Sequence, residues 1–154
     1  MLFKMSLAAL AAGLIIIACI YFQIPKPAYV LVIDQRAIDS RTAAKVADVI
    51  CARYEISEIY WVFGHNDNSY YSAAHSFHKP DSCQVIMTDC IGSAIANAYK
   101  TLFNQHQSQS KALLFLRTGD YDQHDIDIIN SLPYKGVIIY ELDDKGNETR
   151  VPGT

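Results

Sequence analysis

The sequence predicts an α/β domain: a mainly parallel sheet flanked by helices on both faces, behind an N-terminal transmembrane or signal helix. Three observations predict it. Short, wholly apolar β-forming runs recur along the chain, segments with helical periodicity alternate with them, and turn or capping residues separate the two kinds. A strand that is apolar on both sides is buried on both faces, which suits a parallel sheet better than a half-solvated antiparallel one.

Residues 28–33 (AYVLVI) form the first strand, ended by Asp34. Asp39 or Ser40 caps a helix over 41–54, whose apolar face is Ala43, Val46, Ala47, Ile50 and Tyr54. Residues 58–63 (EIYWVF) form a second strand, broken at Gly64-His65-Asn66-Asp67-Asn68. Residues 69–77 (SYYSAAHSF) read as a hairpin strand pairing back or as an irregular loop. Lys79-Pro80-Asp81 is a turn signal, and 84–88 (QVIMT) is another strand of the buried type, ending at Asp89. Residues 92–105 carry Ile91, Ile95, Ala98 and Leu102 on one helical stripe. A polar loop over 107–111 precedes a strand over 112–117, then Thr118-Gly119-Asp120. Asp122 caps a short helix over 124–132, and 136–142 (GVIIYEL) is the last strand, followed by a turn over 143–147 and a polar tail.

Two units follow: residues 1–27 as anchor or signal segment, and 28–154 as one soluble domain. Residues 5–24 (MSLAALAAGLIIIACIYFQI) carry no charge, and about twenty helical residues reach roughly 30 Å, the thickness of a bilayer core. Tyr21 and Phe22 suit the membrane interface, and Pro25 and Pro27 stop the helix. Three readings stand. The favoured one is an uncleaved signal anchor with Lys4 in the cytoplasm and the domain outside, in the periplasm or extracellular space. The second is a lipoprotein signal, because Ile16-Ile17-Ala18-Cys19 resembles a lipobox and would make Cys19 the lipidation site. The third is a cleaved signal peptide.

Acidic residues outnumber basic ones, 16 to 13, for a formal net charge of −3, and no Lys/Arg cluster occurs. A nucleic-acid surface needs a concentrated basic footprint, so DNA or RNA is not an expected partner. Beyond Cys19 stand Cys51, Cys83 and Cys90. One disulfide with one free thiol fits an oxidising compartment, and three buried thiols fit equally. Cys83 and Cys90, read as the two ends of one strand, are too far apart to join each other. No Cys/His spacing suggests zinc.

Ligands of open parallel sheets bind beyond the carboxyl ends of the strands. Asp34, Asp89 and Asp120 end strands there, and His65 follows another. Converging oxygens would suit Mg or Ca, although Asp is common at strand ends and helix caps for purely structural reasons. His65, His75 and His78 share a loop region and are more simply solvated than metal-bound. The aromatics Tyr60, Trp61, Phe63, Tyr70, Tyr71 and Phe77 read as core, and any exposed part of Tyr70–Phe77 would suit a protein interface. No nucleophile elbow and no phosphate-binding glycine loop is present.

The stretch from Gly92 (GSAIANAYKTLFNQHQSQSKALLFLRTGDYDQHDIDIINSL) resembles the second half of a von Willebrand factor A-type domain, and AYVLVID resembles its first strand. That resemblance implies a doubly wound, Rossmann-like α/β fold with a metal-ion-dependent adhesion site in degenerate form. Asp34 stands at the first acidic position, Arg36 and Ile38 replace the two serines, Ser93 stands for the threonine, and Thr118-Gly119-Asp120 transposes the last motif. With two hydroxyl ligands lost, Arg36 is expected to place its guanidinium where the cation would sit and to pair with Asp34 or Asp120. The expected binding residues at the carboxyl edge are therefore Asp34, Arg36, His65, Asp89, Ser93 and Asp120, with no catalytic residue and no cofactor, Mg or Ca being the alternative.

The expected function is a membrane-anchored, non-enzymatic protein-interaction module of a cell envelope, with other envelope proteins as partners; a component of a bacterial secretion, conjugation or pilus machine is one instance. The alternative is a metal-dependent hydrolase using Asp34, Asp89 and Asp120 with His65 as base, or a small-ligand-binding domain at the same edge.

Overall fold

The computed structural model describes residues 12–15, 27–36, 38–63, 73–74, 76–105, 110–116, 122–132 and 136–152. Numbered from the first strand, its elements are β1 (Ala28–Asp34), α1 (Ser40–Arg53), β2 (Ile56–Val62), β3 (Gln84–Thr88), α2 (Ile91–Gln105), β4 (Lys111–Leu116), α3 (Gln123–Ser131), β5 (Val137–Leu142) and β6 (Glu148–Arg150).

The strands form one six-stranded sheet in the order β3-β2-β1-β4-β5-β6. Strands β1 to β5 pair in parallel, and β6 runs antiparallel to β5. The chain winds from β1 outward to β2 and β3, then returns across the sheet to β4 and β5 on the other side. Alternation along each strand feeds two cores. Leu31, Ile33, Ile59, Trp61, Leu114 and Leu116 face α1, and Val30, Val32, Tyr60, Val62, Leu113 and Phe115 face α2. In β1, Val30, Leu31, Val32 and Ile33 are all fully buried. Each such side chain contributes about 1.5–3 kcal/mol on burial, which is why a four-residue apolar run makes the central strand.

The helix signals act as the residues dictate. Asp39 caps α1 by accepting from Arg41 N and Thr42 N, both at 3.0 Å. Ala43, Val46, Ala47 and Ile50 are buried as their spacing requires, while Tyr54 leaves the helix and serves as its C-cap. In α2, Ile91, Ile95, Ala98 and Leu102 form the buried stripe. Asp122 caps α3, its Oδ1 accepting from Asp125 N at 2.8 Å.

Five expectations need correction. β3 is an edge strand, half-buried along most of its length rather than covered on both sides. Cys83 and Cys90 flank β3 rather than lie within it. Within 69–77, Ala73 and Ala74 are helical, and both pack with Phe77 in the core beneath Trp61. A hairpin there would have placed an antiparallel strand beside β2, where the parallel β3 pairs instead. The rest of 69–77, apart from Ser76, lies outside the described residues. Lys111, expected in a polar loop, is the first residue of β4. Finally, the polar tail contains β6. Asp143 folds the turn by accepting from Lys145 N at 2.9 Å and Asn147 N at 2.8 Å, and Gly146 takes φ +77°. Arg53 and Tyr54 then hold the strand through Glu148, at 2.6 and 2.7 Å.

Of the N-terminal segment, residues 12–15 are described; they are helical, with Leu14 and Ile15 exposed. No helix among the described residues is long and apolar enough to cross a membrane. The remainder of 5–24, including Cys19, lies outside them.

Candidate functional site at the carboxyl rim

The sheet order reverses between β1 and β4, and at such a reversal the loops leaving the carboxyl ends diverge to either face. Asp34 is the last residue of β1 and is fully buried. Burying a carboxylate is expensive unless it is paired and hydrogen-bonded. Here the partner comes from two residues along the chain. Arg36 Nε donates to Asp34 Oδ1 at 2.8 Å and Nη2 to Oδ2 at 2.9 Å, a fork-on-fork pair, and the Arg36 backbone N–H adds a bond to Oδ1 at 3.1 Å.

The remaining arm of the guanidinium reaches a second buried acid. Arg36 Nη1 lies 3.4 Å from Oδ2 of Asp125, which is 2% exposed in the first turn of α3. The other oxygen, Oδ1, accepts from Gly92 N at 2.9 Å and from the Cys90 thiol at 3.6 Å. Cys90 precedes α2 and acts as its cap, its Sγ accepting from Ser93 N at 3.4 Å and its carbonyl from Ala94 N at 3.0 Å. One guanidinium thus faces two carboxylates, and the excess negative charge meets the N–H groups and positive dipole end of α2. The hydrogen bonds to Asp34 hold Arg36 still more firmly protonated than a free arginine, against the opposing effect of its partial burial, and Asp125 adds to the hold.

Gly92 makes this approach possible. A Cβ there would sit 3.1 Å from Asp125 Oδ1 and 3.2 Å from its Cα. The neighbouring Gln35 serves the opposite core, accepting from the indole N–H of Trp61 and donating to Ser40 Oγ. Consecutive loop residues therefore lock the two faces separately: Gln35 the α1 side, Arg36 the side of α2 and α3.

Of the residues expected at this rim, the structure joins Asp34 and Arg36 directly and places Ser93 in the first turn of α2, one residue after Gly92. Asp89 stands apart. It is exposed at the end of β3, two strands from β1, which at about 4.8 Å per strand is roughly 10 Å across the sheet. His65 and Asp120 lie outside the described residues. Asp125, Cys90 and Gly92 were not among the expected site residues. The sequence pointed to Asp122 as a cap, but nothing in QHDIDIINS distinguishes a buried Asp125 from a solvated one.

No family model, no curated protein and no solved structure matches this chain.

Mg²⁺ and Ca²⁺ need six or more oxygens, largely carboxylate, carbonyl, hydroxyl or water. The two buried acids here are already engaged by Arg36. Among the described residues no group of three or more His, Cys, Asp or Glu side chains could hold a metal. Chemically the arrangement is a polar cluster of one guanidinium and two carboxylates, in which the acids are buried and the side chain of Arg36 is 24% exposed.

Proposed function

We propose that this protein is a membrane-tethered, non-enzymatic interaction module of a cell envelope, and that its carboxyl rim is a metal-free relative of a von Willebrand factor A-type adhesion site. One observation carries the reading: the Arg36 guanidinium sits between two buried acids, Asp34 and Asp125, where a cation would otherwise balance them. A built-in cation ties the end of β1 to α3 without depending on metal supply, which suits a constitutive contact surface. The apolar segment 5–24 supports the tether, and the expected orientation places residues 28–154 outside the cytoplasm.

Two measurements on the detergent-extracted full chain test this. Titration calorimetry with Mg²⁺ and with Ca²⁺ is expected to give no binding tighter than millimolar; a micromolar site would overturn the metal-free rim. Cross-linking in intact cells, followed by size-exclusion chromatography, is expected to give a defined complex with another envelope protein. A chain that elutes alone and monomeric would overturn the interaction reading.

A further inference from the structure

Two of the three described cysteines, both free thiols in the structure, border the same core on the α1 face in a way that the rim does not explain. Cys51 lies near the C-terminal end of α1, and Cys83 immediately precedes β3. A direct bond brings their segments together. The His78 N–H donates to Asp48 Oδ1 at 2.7 Å, and Asp48 stands three residues before Cys51, on the same side of the helix. From His78 the chain turns at Pro80, whose carbonyl accepts from Cys83 N at 2.9 Å, and Lys79 Nζ closes the same turn on the Cys83 carbonyl at 3.3 Å. The path from Asp48 to Cys83 is thus short and pinned at both ends. Cys83 is buried in the core on the α1 face, and Cys51 packs against that same core. Cys90 is elsewhere, on Asp125 at the opposite end of β3.

We propose that Cys51 and Cys83 are a disulfide pair that staples α1 to the segment entering β3. The electron acceptor is a disulfide of the glutathione or thiol-oxidoreductase class. The thiolate of one cysteine attacks a sulfur of that acceptor and releases one thiol; the second cysteine, as thiolate, attacks the mixed disulfide and releases the other. Two protein thiols become one S–S bond, and the acceptor leaves as two thiols carrying the two protons. Burial, with the neighbouring Cys83 and Asp48, pushes the Cys51 thiol up to about 12. The folded dithiol is therefore a poor nucleophile, so the test starts from the unfolded chain. Formation in the cell rests on the exported orientation proposed above, whereas the pairing itself does not.

The full chain in detergent, reduced and unfolded in urea, is refolded in a glutathione redox buffer, alkylated and digested without reduction. A Cys51–Cys83 cross-linked peptide as the dominant linkage supports the pairing. So does an unfolding midpoint that falls by about 10 °C on reduction, the size expected for a loop of this length in a domain of this size. Equal linkage to Cys19 or Cys90, or four alkylated thiols, overturns it. Cys51→Ser and Cys83→Ser should each abolish the reductant-sensitive part of the midpoint, and Cys90→Ala should leave it. Alkylation in intact cells isolates the compartment: a pair that forms on refolding but is reduced in cells retains the pairing and overturns the exported orientation.

Discussion

Arg36 grips the fully buried Asp34 through two near-parallel hydrogen bonds, 2.8 and 2.9 Å long, and extends its third nitrogen to Asp125 on a helix 89 residues further on. Removing one partner of a buried pair leaves an uncompensated charge, so Arg36→Ala should lower stability by about 3 kcal/mol in urea titration. The double variant Asp34→Asn, Arg36→Met should lose less than the sum of the single changes, because the buried charge leaves with its partner. Arg36→Lys should not restore the wild type, since an ammonium cannot match the carboxylate bidentately. A loss below about 0.5 kcal/mol for Arg36→Ala would remove the pair from any structural role.

Gly92→Ala sets two effects against each other. Alanine is better than glycine inside a helix by about 1 kcal/mol. The new Cβ, however, meets Ile128 Cδ1 at 3.1 Å and the Asp125 Cα at 3.2 Å, and a backbone atom cannot rotate away. Overpacking of this kind costs about 1–3 kcal/mol, so the net change should be destabilising by about 1 kcal/mol. Chemical denaturation of the two proteins decides the sign.

Gly136 and Gly146 both have positive φ, +76° and +77°, but only one is crowded. Nothing lies within 4 Å of a Cβ at Gly136, whereas one at Gly146 would be 3.1 Å from Val49 Cγ1. Gly136→Ala should cost only the left-handed backbone strain, about 1 kcal/mol. Gly146→Ala should cost about 1 kcal/mol more, from the clash with α1. Equal losses would mean that the β5–β6 turn does not press on the helix.

Burial, followed by the hydrogen bond to Glu148, pushes the Tyr54 hydroxyl up from 10.0 to about 12. A phenol whose folded value is raised contributes stability that is complete below pH 10 and is lost as pH climbs toward 12. Wild-type stability should therefore fall more steeply across that window than that of Tyr54→Phe. Thermal midpoints measured every half pH unit test the difference, and superimposable slopes would rule out the contribution.

The Asp34–Arg36 pair was legible before any fold was known, and for a local reason. Asp34 and Arg36 are two residues apart, so their pairing needs only a tight turn at the end of a strand. Asp125 was not legible, because its burial depends on α3 docking against Gly92, and neither segment carries a mark of the other. Of the two readings of 69–77, hairpin strand or irregular loop, the hairpin is excluded because β3 takes the place beside β2 in parallel, a long-range pairing that alanine and aromatic residues do not encode. β6 was missed for the opposite reason: Glu148-Thr149-Arg150 is short and polar, and it pairs because Asp143 and Gly146 form the turn while Arg53 and Tyr54 secure Glu148.

Apolar periodicity and capping residues by themselves determined that this chain alternates strand and helix and buries β1 on both faces, because these signals act over a few neighbouring residues. Only the tertiary structure decided that β3 is an edge, that the tail adds a strand, and that Arg36 bridges two acids rather than one. Those outcomes depend on which distant surfaces meet, and the energy of a buried charge is settled only when its surroundings have closed around it.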